Sequence, residues 1–343
     1  MSQGPLPTSR RSIGRKQMAR ALWYVAPGRM ECRAETLPPV RDGFARVATH
    51  FSGISRGTES LVLAGSVPES EWQRMRAPMQ QGDFPFPVKY GYAAVGRVAA
   101  GPPEMIGQGV FALHPHQDQF TAPLGSLIPV PDNIPLRRAV LAANMETALN
   151  AVWDAGAGPG DRIAVIGAGV VGLLVANVLA RLPATDVHVI DIDQAKRAPS
   201  EALGATFATP DAAPGDCDCV FHTSATEAGL ATAIAAAGTE ATIIEMSWYG
   251  SNTVNVQLGG AWHSQRLRIV SSQVGQVSLS HRVRWPHRRR LGKALQLLDD
   301  SRLDILVAEA ISFDDADHHL PHILSERSFQ GLPPVIHYAN ALS

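Results

Sequence analysis

The chain has 343 residues, of which 45% are hydrophobic and 18% are charged, so it carries enough apolar material for two globular domains. Its 30 Lys and Arg side chains nearly balance 31 Asp and Glu side chains, and the formal net charge of -1 excludes a global positive field that would recruit nucleic acid or an anionic membrane. The 3 cysteines contain no CxxC pair, which excludes a disulfide framework and a cysteine-rich zinc site. We therefore expect a small-molecule substrate, no nucleic-acid or membrane partner, and a location in the reducing cytoplasm.

The chain begins with a basic stretch. Its first 30 residues contain no acid, and no apolar segment of the signal-peptide type follows the charges. We interpret residues 1–18 as a disordered extension, with a transit peptide as the alternative. Further along, residues 163–180 just reach the length of a transmembrane helix, but their glycines and Asn177 argue against a membrane span.

Two patterns divide the rest of the chain. Before residue 163, short apolar runs such as 45–51 and 92–99 are separated by Gly and Pro clusters and predict strands of a mostly β module. After that point strand patterns alternate with helical patterns, namely strands at 163–166, 186–191, 219–223 and 241–246 and helices at 170–182, 194–203 and 228–237. This alternation predicts an α/β domain with a doubly wound parallel sheet that helices cover on both faces.

The first strand–helix unit contains a glycine-rich turn. Gly167, Gly169 and Gly172 form a GxGxxG motif: the first glycine permits the tight turn, the second lets backbone approach a pyrophosphate, and the third lets the helix pack on the strand. The start of the helix supplies free N–H groups for the phosphates. Asp191 ends the next strand about 20 residues later, where an acid binds the ribose hydroxyls and repels a 2′-phosphate. The motif predicts a bound NAD rather than NADP, with a plain turn acid as the alternative role of Asp191.

Five segments together make the chain similar to the medium-chain dehydrogenase/reductase superfamily of zinc-type alcohol dehydrogenase-like proteins. They are GISRGTES (residues 53–60), PVKYGYAAVG (87–96), ANMETALNA (143–151), VIGAGVVG (165–172) and VIDIDQAKR (189–197). The resemblance implies a GroES-like, mostly β catalytic domain over residues 19–143, a Rossmann NAD-binding domain over 144–275 and a return to the catalytic domain over 276–343. It also implies a homodimer.

The same resemblance implies which residues contact the cofactor. Thr147 corresponds to the residue that approaches the nicotinamide, and Lys196 corresponds to the basic partner of the ribose. The start of the helix and two strand ends supply the other cofactor-lining residues, namely Val170, Val171, Thr223, Ser224, Met246, Ser247 and Trp248. Ligands of open α/β sheets lie at the carboxyl ends of the strands, which independently points to the same strand ends.

The chain departs from the family at the metal site. Zinc alcohol dehydrogenases of this superfamily use a cysteine, the histidine of a GHE motif and often a second cysteine as ligands. Here these three positions are occupied by Ser55 or Arg56, by Tyr92, and by Ala143 or Asn144. Catalytic zinc needs three nitrogen, sulfur or carboxylate ligands, so we expect no zinc. In this respect the chain resembles the zinc-free branch that includes bacteriochlorophyllide dehydrogenase.

Without zinc, a side chain has to stabilise or protonate the alkoxide that develops during ketone reduction. Tyr92 stands at the position of the metal ligand, and a phenol can take this role if a cation such as Lys89 lowers its pKa. Because residues three apart on a strand point to opposite faces, this pairing requires a bend at Gly91. The alternative is that the Tyr92 ring only fills the volume that the metal vacated.

Three further residues are candidates for catalysis. His114 and His116 lie in the loop that edges the cleft in relatives, and either is a candidate acid, base or substitute metal ligand, with a solvated loop residue as the alternative. Glu59 is a candidate for orienting a water or a substrate group, with an acid near the module surface as the alternative.

Two other tracts are interpreted as structural. Residues 69–86 form an amphipathic, proline-containing insertion beside the expected cleft. This insertion either shapes the choice of substrate or has only a packing role. Residues 281–290 (HRVRWPHRRR) form a basic run that leads into a helical pattern over 291–298 and is typical of a solvated helix face.

These features together predict a zinc-independent, NAD-dependent oxidoreductase that transfers a hydride between nicotinamide and a secondary alcohol or ketone. A quinone or enoyl reductase of the same superfamily is the first alternative. A non-catalytic NAD-binding protein is the second.

Overall fold

The structure is a computed structural model that describes residues 18–325 and 331–339. The extension predicted for residues 1–18 lies outside the described residues apart from Met18, which begins the first strand.

Nine strands form the first half of the chain: β1 (Met18–Ala26), β2 (Arg29–Thr36), β3 (Phe44–Ser52), β4 (Gln81–Gly82), β5 (Val88–Lys89), β6 (Ala94–Ala100), β7 (Gly109–Ala112), β8 (Gln119–Pro123) and β9 (Ile128–Pro129). They pair antiparallel in two sheets, a four-stranded sheet in the order β2-β1-β5-β4 and a larger sheet that contains β3-β6-β7-β9, with β8 paired to β3. Apolar side chains such as Val47, Val110 and Phe120 are buried between these strands. The first half is therefore a mostly β module, as the short apolar runs predict.

Nine helices accompany the strands within the described residues: α1 (Arg56–Leu63), α2 (Leu136–Ala139), α3 (Ala142–Ala155), α4 (Val170–Leu179), α5 (Arg197–Ala202), α6 (Glu227–Ala236), α7 (Ala261–Ser264), α8 (His287–Leu297) and α9 (Ala316–Ser325). Helix α3 connects the two halves of the molecule. Its buried face joins one apolar cluster that includes Val95 and Phe111 of the first module and Val165 and Leu173 of the second. The two halves therefore share a continuous core at their junction.

Six parallel strands form the second half: β10 (Arg162–Ile166), β11 (Asp186–Ile190), β12 (Thr206–Ala208), β13 (Cys217–His222), β14 (Ala237–Glu245) and β15 (Arg268–Ser271). Their order in the sheet is β12-β11-β10-β13-β14-β15, so the direction of winding reverses between β10 and β13. This is the doubly wound Rossmann order, and the predicted fold class is confirmed. Residues 163–180 are distributed over β10, the glycine turn and α4, and no helix among the described residues is long and apolar enough to cross a membrane.

The end of the described chain returns to the first module. Strand β16 (Ala310–Ser312) runs parallel to β17 (Val335–His337), and β17 pairs antiparallel with β3. The larger sheet thereby reaches the order β16-β17-β3-β6-β7-β9. The polypeptide leaves the first module at α2, forms the parallel sheet, and then returns to add β16 and β17 to the first module.

Tyr92 lies outside regular structure. The strand predicted over 92–99 begins at Ala94 instead, because Gly91 has a φ of 114°, which breaks the extended run. A Cβ atom at Gly91 would lie 2.9 Å from the His116 ring, so glycine is required both for the left-handed conformation and for this close approach. The bend at Gly91 therefore turns the chain away from the direction of strand β5 before it reaches Tyr92.

Candidate active site

A cleft with a cavity volume of about 20 Å³ lies at the junction of the two modules. The first module contributes Ser55 and Tyr92 to its wall, helix α3 contributes Asn144, and helix α4 contributes its first residue, Val170. The remaining lining side chains are mostly aliphatic and include Val140, Leu141, Leu306, Val307 and Val335. Tyr92 and the start of the glycine-turn helix therefore face the same cleft.

Tyr92 meets a small cluster of hydroxyl groups at the cleft. Its hydroxyl donates to Thr58 Oγ1 over 3.3 Å. Burial raises the pKa of Tyr92 to about 12, although hydrogen bonds with Ser55 and Thr58 act in the opposite direction. The phenol is therefore protonated near neutral pH, and it can act as a hydrogen-bond donor or acid but not as a resting phenolate.

Lys89 does not lower the pKa of Tyr92, which corrects the pairing that the sequence suggested. The Lys89 ammonium is 1% exposed and binds Glu35 Oε2 at 2.7 Å and Gln117 Oε1 at 3.0 Å. Because β5 pairs with β1 next to β2, the side chain of Lys89 is directed to the acid on β2 and away from the cleft. Lys89 thus neutralises a half-buried carboxylate within the first module.

Glu59 lies in the interior of the first module, so the surface alternative for this acid is wrong. Its side chain accepts from the Tyr24 hydroxyl at 2.7 Å and from the backbone N–H of Ser55 at 2.7 Å, and it lies 3.1 Å from His116 Nε2. Burial raises the pKa of Glu59, but the charge and hydrogen bond of His116 and the Ser55 amide outweigh burial, and the net pKa lies below its usual value. Glu59 therefore holds the start of α1, which carries Ser55 and Thr58 to the cleft.

His116 and His114 are buried, so the solvated-loop alternative is wrong for both. His116 is 0% exposed, and its Nδ1 lies 2.8 Å from Ser52 Oγ while its Nε2 faces Glu59. His114 is 5% exposed and stacks on Phe120 with ring centroids 3.8 Å apart. Burial lowers the pKa of His114 to about 3, so its ring stays neutral. Neither histidine is among the residues that line the cleft.

The polar residues that line the cleft do not fit a zinc ion. Ser55, Tyr92 and Asn144 supply hydroxyl and amide groups to the cleft, whereas zinc sites use thiolate, imidazole or carboxylate ligands. Within residues 18–325 and 331–339, no group of three or more His, Cys, Asp or Glu side chains is arranged to hold a metal ion. The His114–His116 pair lacks a third ligand for the same reason.

The glycine turn fits a dinucleotide. A Cβ atom at Gly172 would lie 2.0 Å from the Gly167 carbonyl oxygen, so the helix packs as closely on the turn as the third glycine of the motif requires. A Cβ atom at Gly169 would meet nothing within 4 Å, and the space above the start of α4 is open for a pyrophosphate. Val170 and Val171 begin this helix and place its free N–H groups at that space.

Asp191 follows the adjacent strand β11 and closes the same turn. Its Oδ2 accepts from the Ala168 N–H at 2.6 Å, and its Oδ1 accepts from the Asp193 N–H at 2.9 Å. Each carboxylate oxygen has a further lone pair, so the two amides do not prevent bonds to ribose hydroxyls. Lys196 is buried nearby with its ammonium 3.9 Å from Asp193, and burial lowers the pKa of Lys196. Both residues therefore lie beside the glycine turn, where the ribose of a dinucleotide belongs.

The other cofactor candidates lie at the expected helix and strand ends. Thr147 is half-buried on α3, and its hydroxyl donates to the Ala143 carbonyl at 3.1 Å. Thr223 follows β13 and donates to the Gly167 carbonyl at 2.9 Å, which couples this strand end to the glycine turn. The segment Met246, Ser247 and Trp248 follows β14, and Trp248 packs against the apolar cluster of the first module.

Two residues that the sequence reasoning missed stand at these strand ends. His222 ends β13 and Glu245 ends β14, and His222 Nδ1 lies 2.8 Å from Glu245 Oε2. His222 Nε2 lies 2.8 Å from Ser224 Oγ. The available signal was the presence of two titratable residues at the carboxyl ends of neighbouring parallel strands, where ligands of such sheets bind.

The two structural tracts have specific contacts. In the insertion over residues 69–86, Trp72 packs against the cluster of the first module, and the thioether of Met75 lies 3.9 Å from the Gln273 amide beyond β15. In the basic run, Arg290 is 1% exposed and binds Glu146 at 2.9 Å, so the prediction of a solvated face is wrong for this residue. The insertion thus reaches across to the second module, and Arg290 ties α8 to α3.

The sequence has short similarities to curated proteins. No protein-family profile matches the chain. It is 32% identical over 84 residues to the (R,R)-butanediol dehydrogenase of Bacillus subtilis (strain 168), which is 24% of each chain. It is 32% identical over 91 residues to the uncharacterized zinc-type alcohol dehydrogenase-like protein YdjJ of Escherichia coli (strain K12), which is 26% of this chain and 24% of YdjJ. The matches span about a quarter of the length of these relatives.

The fold has similarities that cover nearly the whole chain. A protein from Sinorhizobium meliloti 1021 assigned as a zinc-binding dehydrogenase, solved with NADP, superimposes with a TM-score of 0.74 at 17% identity over 94% of this chain and 99% of that one. The 2R,3R-butanediol dehydrogenase of B. subtilis gives 0.73 at 16% identity over 93% and 99%. The alcohol dehydrogenase rspB of E. coli CFT073, complexed with NADH, gives 0.73 at 15% identity over 93% and 99%. The chain therefore has the fold of the zinc-type alcohol dehydrogenase-like proteins.

Proposed function

We propose that this chain is a zinc-independent, NAD-dependent oxidoreductase of the medium-chain dehydrogenase/reductase superfamily that interconverts a secondary alcohol and a ketone. The observation that carries the proposal is the shared cleft: Tyr92, a half-buried hydrogen-bond donor at the position where the family resemblance implies a metal ligand, faces the same space as Val170 at the start of the dinucleotide-binding helix. A proton donor and a cofactor turn at one cleft are the two parts that hydride transfer to a carbonyl needs.

The chemistry divides between the cofactor and the chain. A bound nicotinamide would supply the hydride in ketone reduction and accept it in alcohol oxidation. In the reducing direction the Tyr92 hydroxyl would exchange its long bond to Thr58 for a bond to the developing alkoxide and stabilise or protonate it. Thr58 and Ser55 would then stabilise the phenolic oxygen. Burial raises the pKa of Tyr92 to about 12, which keeps the phenol protonated for this donor role.

Zinc independence rests on the side chains at the cleft. The hydroxyl and amide groups of Ser55, Tyr92 and Asn144 provide hydrogen bonds where zinc-type relatives place metal ligands. The proposed chemistry therefore uses a protein donor in place of a Lewis acid.

The preference for NAD rests on Asp191. Its carboxylate stands beside the turn and would accept bonds from neutral ribose hydroxyls, whereas a 2′-phosphate would meet like charge. One of the similar structures holds NADP and another holds NADH. Titration of this chain with both reduced cofactors tests the preference for NAD.

The reaction class is tested by product analysis. The purified chain is incubated with NADH and a panel of ketones, and in parallel with conjugated enones and quinones, with controls that lack protein. Reduction of the ketone carbonyl to the secondary alcohol supports the proposal. Exclusive reduction of the conjugated double bond or the quinone supports the alternative reductase. Tight NADH binding without turnover on either panel in either direction supports a non-catalytic NAD-binding protein.

We also propose that the protein is a homodimer that acts on a small molecule in the cytoplasm. Among the described residues, strand β15 is one of the two edge strands of the parallel sheet, and its Val270 is 39% exposed. An exposed strand edge offers unpaired backbone groups, and pairing with the same edge of a second copy satisfies them. Light scattering during gel filtration measures the mass, and a monomer that persists at micromolar concentration contradicts the proposal.

A further inference from the structure

A chain of polar side chains crosses the carboxyl ends of β13 and β14. Glu245 Oε2 lies 2.8 Å from His222 Nδ1, and His222 Nε2 lies 2.8 Å from Ser224 Oγ. Ser224 Oγ in turn lies 3.0 Å from Thr226 Oγ1, the N-cap residue of α6. The His222 side chain is 0% exposed, whereas Ser224 is half-buried, so the chain runs from the protein interior to its surface.

The hydrogen bonds along this chain use most of the capacity of each group. A carboxylate only accepts, so Nδ1 of His222 carries the hydrogen that binds Glu245. His222 Nε2 and Ser224 Oγ share one hydrogen bond, and Ser224 Oγ and Thr226 Oγ1 share another. Thr226 Oγ1 also accepts from the Gly229 N–H. A hydroxyl group can make three hydrogen bonds, so Ser224 retains one for an outside partner.

Ser224 lies at the point where a dinucleotide crosses the sheet. The winding of the parallel sheet reverses between β10 and β13, and Ser224 follows the end of β13. A Cβ atom at Gly167 would lie 2.9 Å from the Ser224 backbone nitrogen, so Ser224 borders the glycine turn. The pyrophosphate binds at this turn, and the second mononucleotide half lies over β13 and β14.

The same carboxylate also holds the segment after β14. The Ser247 N–H donates to Glu245 Oε1 at 2.8 Å, and the Tyr249 hydroxyl donates to Glu245 Oε2 at 3.3 Å. Burial raises the pKa of Glu245, but the hydrogen bond and charge of His222 together with the Ser247 amide hold the net pKa below its usual value. Glu245 is therefore a charged acceptor that orders both the His222 ring and this segment.

We propose that Glu245 and His222 are positioning residues that hold the Ser224 hydroxyl in place as a hydrogen-bond partner of the nicotinamide nucleoside half of the cofactor. The inference rests on the proposed function, because it needs a bound nicotinamide dinucleotide. Without this relay the Ser224 side chain can change its rotamer freely. The relay removes that freedom before the cofactor binds, which lowers the cost of binding.

A double-mutant cycle on cofactor binding tests the inference. Four proteins are compared: the wild type, Ser224→Ala, Glu245→Gln and the double variant. An amide at position 245 can present either a carbonyl or an NH₂ group to Nδ1, so the tautomer of His222 is no longer determined. Thr232→Ala is the matched control, since the Thr232 hydroxyl on α6 donates only to the Ala228 carbonyl at 3.0 Å. Dissociation constants are measured by fluorescence for NADH and by competition for ADP, which lacks the nicotinamide nucleoside.

We expect each single substitution to weaken NADH binding about 5- to 15-fold, the loss of one well-aligned hydrogen bond. In the Ser224→Ala background, Glu245→Gln should have little further effect, about twofold or less, because the hydroxyl that it orients is gone. ADP binding should change no more than about twofold in all four proteins. Thr232→Ala should bind both ligands as the wild type does.

Two results would overturn the inference. Equal effects of Glu245→Gln in both backgrounds would show that Glu245 does not act through Ser224. A parallel loss of NADH and ADP affinity would show that the relay supports the fold of the second module and not the nicotinamide half. Should Glu245→Gln fail to fold, the comparison of NADH and ADP on the half-exposed Ser224→Ala variant decides alone. A wild-type protein that binds neither ligand contradicts the proposed function itself, which is a different outcome from binding without coupling.

Discussion

The Tyr92 hydroxyl donates to Thr58 Oγ1 over 3.3 Å, across the junction between the segment before β6 and helix α1. A bond of this length is weak, and exchange for a bond to substrate oxygen costs little. Burial raises the pKa of Tyr92 to about 12, so the group that makes this exchange is a neutral phenol. The relationship places a movable hydrogen-bond donor where zinc-type relatives have a metal ligand.

Removal of this hydroxyl tests the donor role. If Tyr92 stabilises or protonates the alkoxide, Tyr92→Phe should lower kcat for ketone reduction about 10²- to 10⁴-fold, because the transition state loses its donor while the ring keeps its packing. The affinity for NADH should stay nearly unchanged. Single-turnover hydride transfer and the melting temperature are measured on the same sample.

Tyr90→Phe is the matched control for this substitution. Tyr90 is buried beside Tyr92 with ring centroids 6.1 Å apart, and its rate should stay within about twofold of the wild type. A Tyr92→Phe rate within twofold of the wild type would assign Tyr92 a volume-filling role. A loss of melting temperature that matches the loss of rate would identify the hydroxyl as a structural hydrogen bond instead.

Cofactor choice should follow Asp191. The like charge of Asp191 and a 2′-phosphate should make NADH bind tens to hundreds of times more tightly than NADPH, the equivalent of a few kcal/mol. Asp191→Ser removes the charge and should reduce the ratio of NADPH to NADH dissociation constants, chiefly because NADPH binds more tightly. Fluorescence titration of both reduced cofactors measures the ratio. Equal or tighter binding of NADPH by the wild type would contradict the assignment.

The activity of the protein should not depend on a bound metal ion. The cleft presents hydroxyl and amide groups at the former ligand positions, so we expect the purified protein to hold no stoichiometric zinc and to keep its activity in a chelator. Elemental analysis before and after dialysis against the chelator gives the result. One tightly bound zinc per chain, lost together with activity, would show that the ligands lie elsewhere in the chain.

His114 should make stability depend on pH in a defined window. Burial lowers the pKa of His114 to about 3 from the ordinary value of 6.5, so the unfolded chain binds one more proton between these two values. A group that binds protons more readily in the unfolded state makes stability rise with pH. The free energy of unfolding should therefore fall by up to about 1.4 kcal/mol per pH unit as the pH decreases below 6.5.

His114→Phe keeps an aromatic ring against Phe120 but removes the titration. Denaturant unfolding at several pH values between about 4.5 and 7 should show a shallower slope for the variant, by about one proton. The lowered pKa of Glu59 adds a loss of stability at lower pH, below the ordinary carboxyl range, and so stays outside this window. Equal slopes for both proteins would mean that His114 is protonated in the folded state.

The buried ion pair between Arg290 and Glu146 should be essential for stability. Their side chains are 1% and 7% exposed and lie 2.9 Å apart, and Arg290 also binds the Asn150 amide oxygen. Arg290→Leu leaves the Glu146 carboxylate buried without its cation and should destabilise the protein by about 3–5 kcal/mol. The double variant Glu146→Leu/Arg290→Leu should recover a large part of that loss. Denaturant unfolding measures both, and a change below about 1 kcal/mol for Arg290→Leu would contradict the prediction.

The residue periodicity was sufficient to predict the second module. The predicted strand over 163–166 lies within β10, and the helix over 170–182 corresponds to α4. These elements depend on the spacing of apolar residues and on Gly167, Gly169 and Gly172, which act within a few residues of one another. The absence of family metal ligands at Ser55 and Tyr92 was equally visible, because it is a matter of residue identity.

Partners and burial were decided by the tertiary structure. Lys89 binds Glu35, which is 54 positions away, and Glu59 meets His116, which is 57 positions away, so neither contact follows from local spacing. The antiparallel pairing of β1 with β5 and the left-handed turn at Gly91 create both contacts. His222 and Glu245 likewise meet only because β13 and β14 are neighbours in the sheet. The sequence by itself determined which chemical groups are present and which local elements form. The packing of distant segments determined which groups face the cleft and which groups neutralise one another. The reason is that charge and hydrogen-bond partners depend on distance in space and not on distance along the chain.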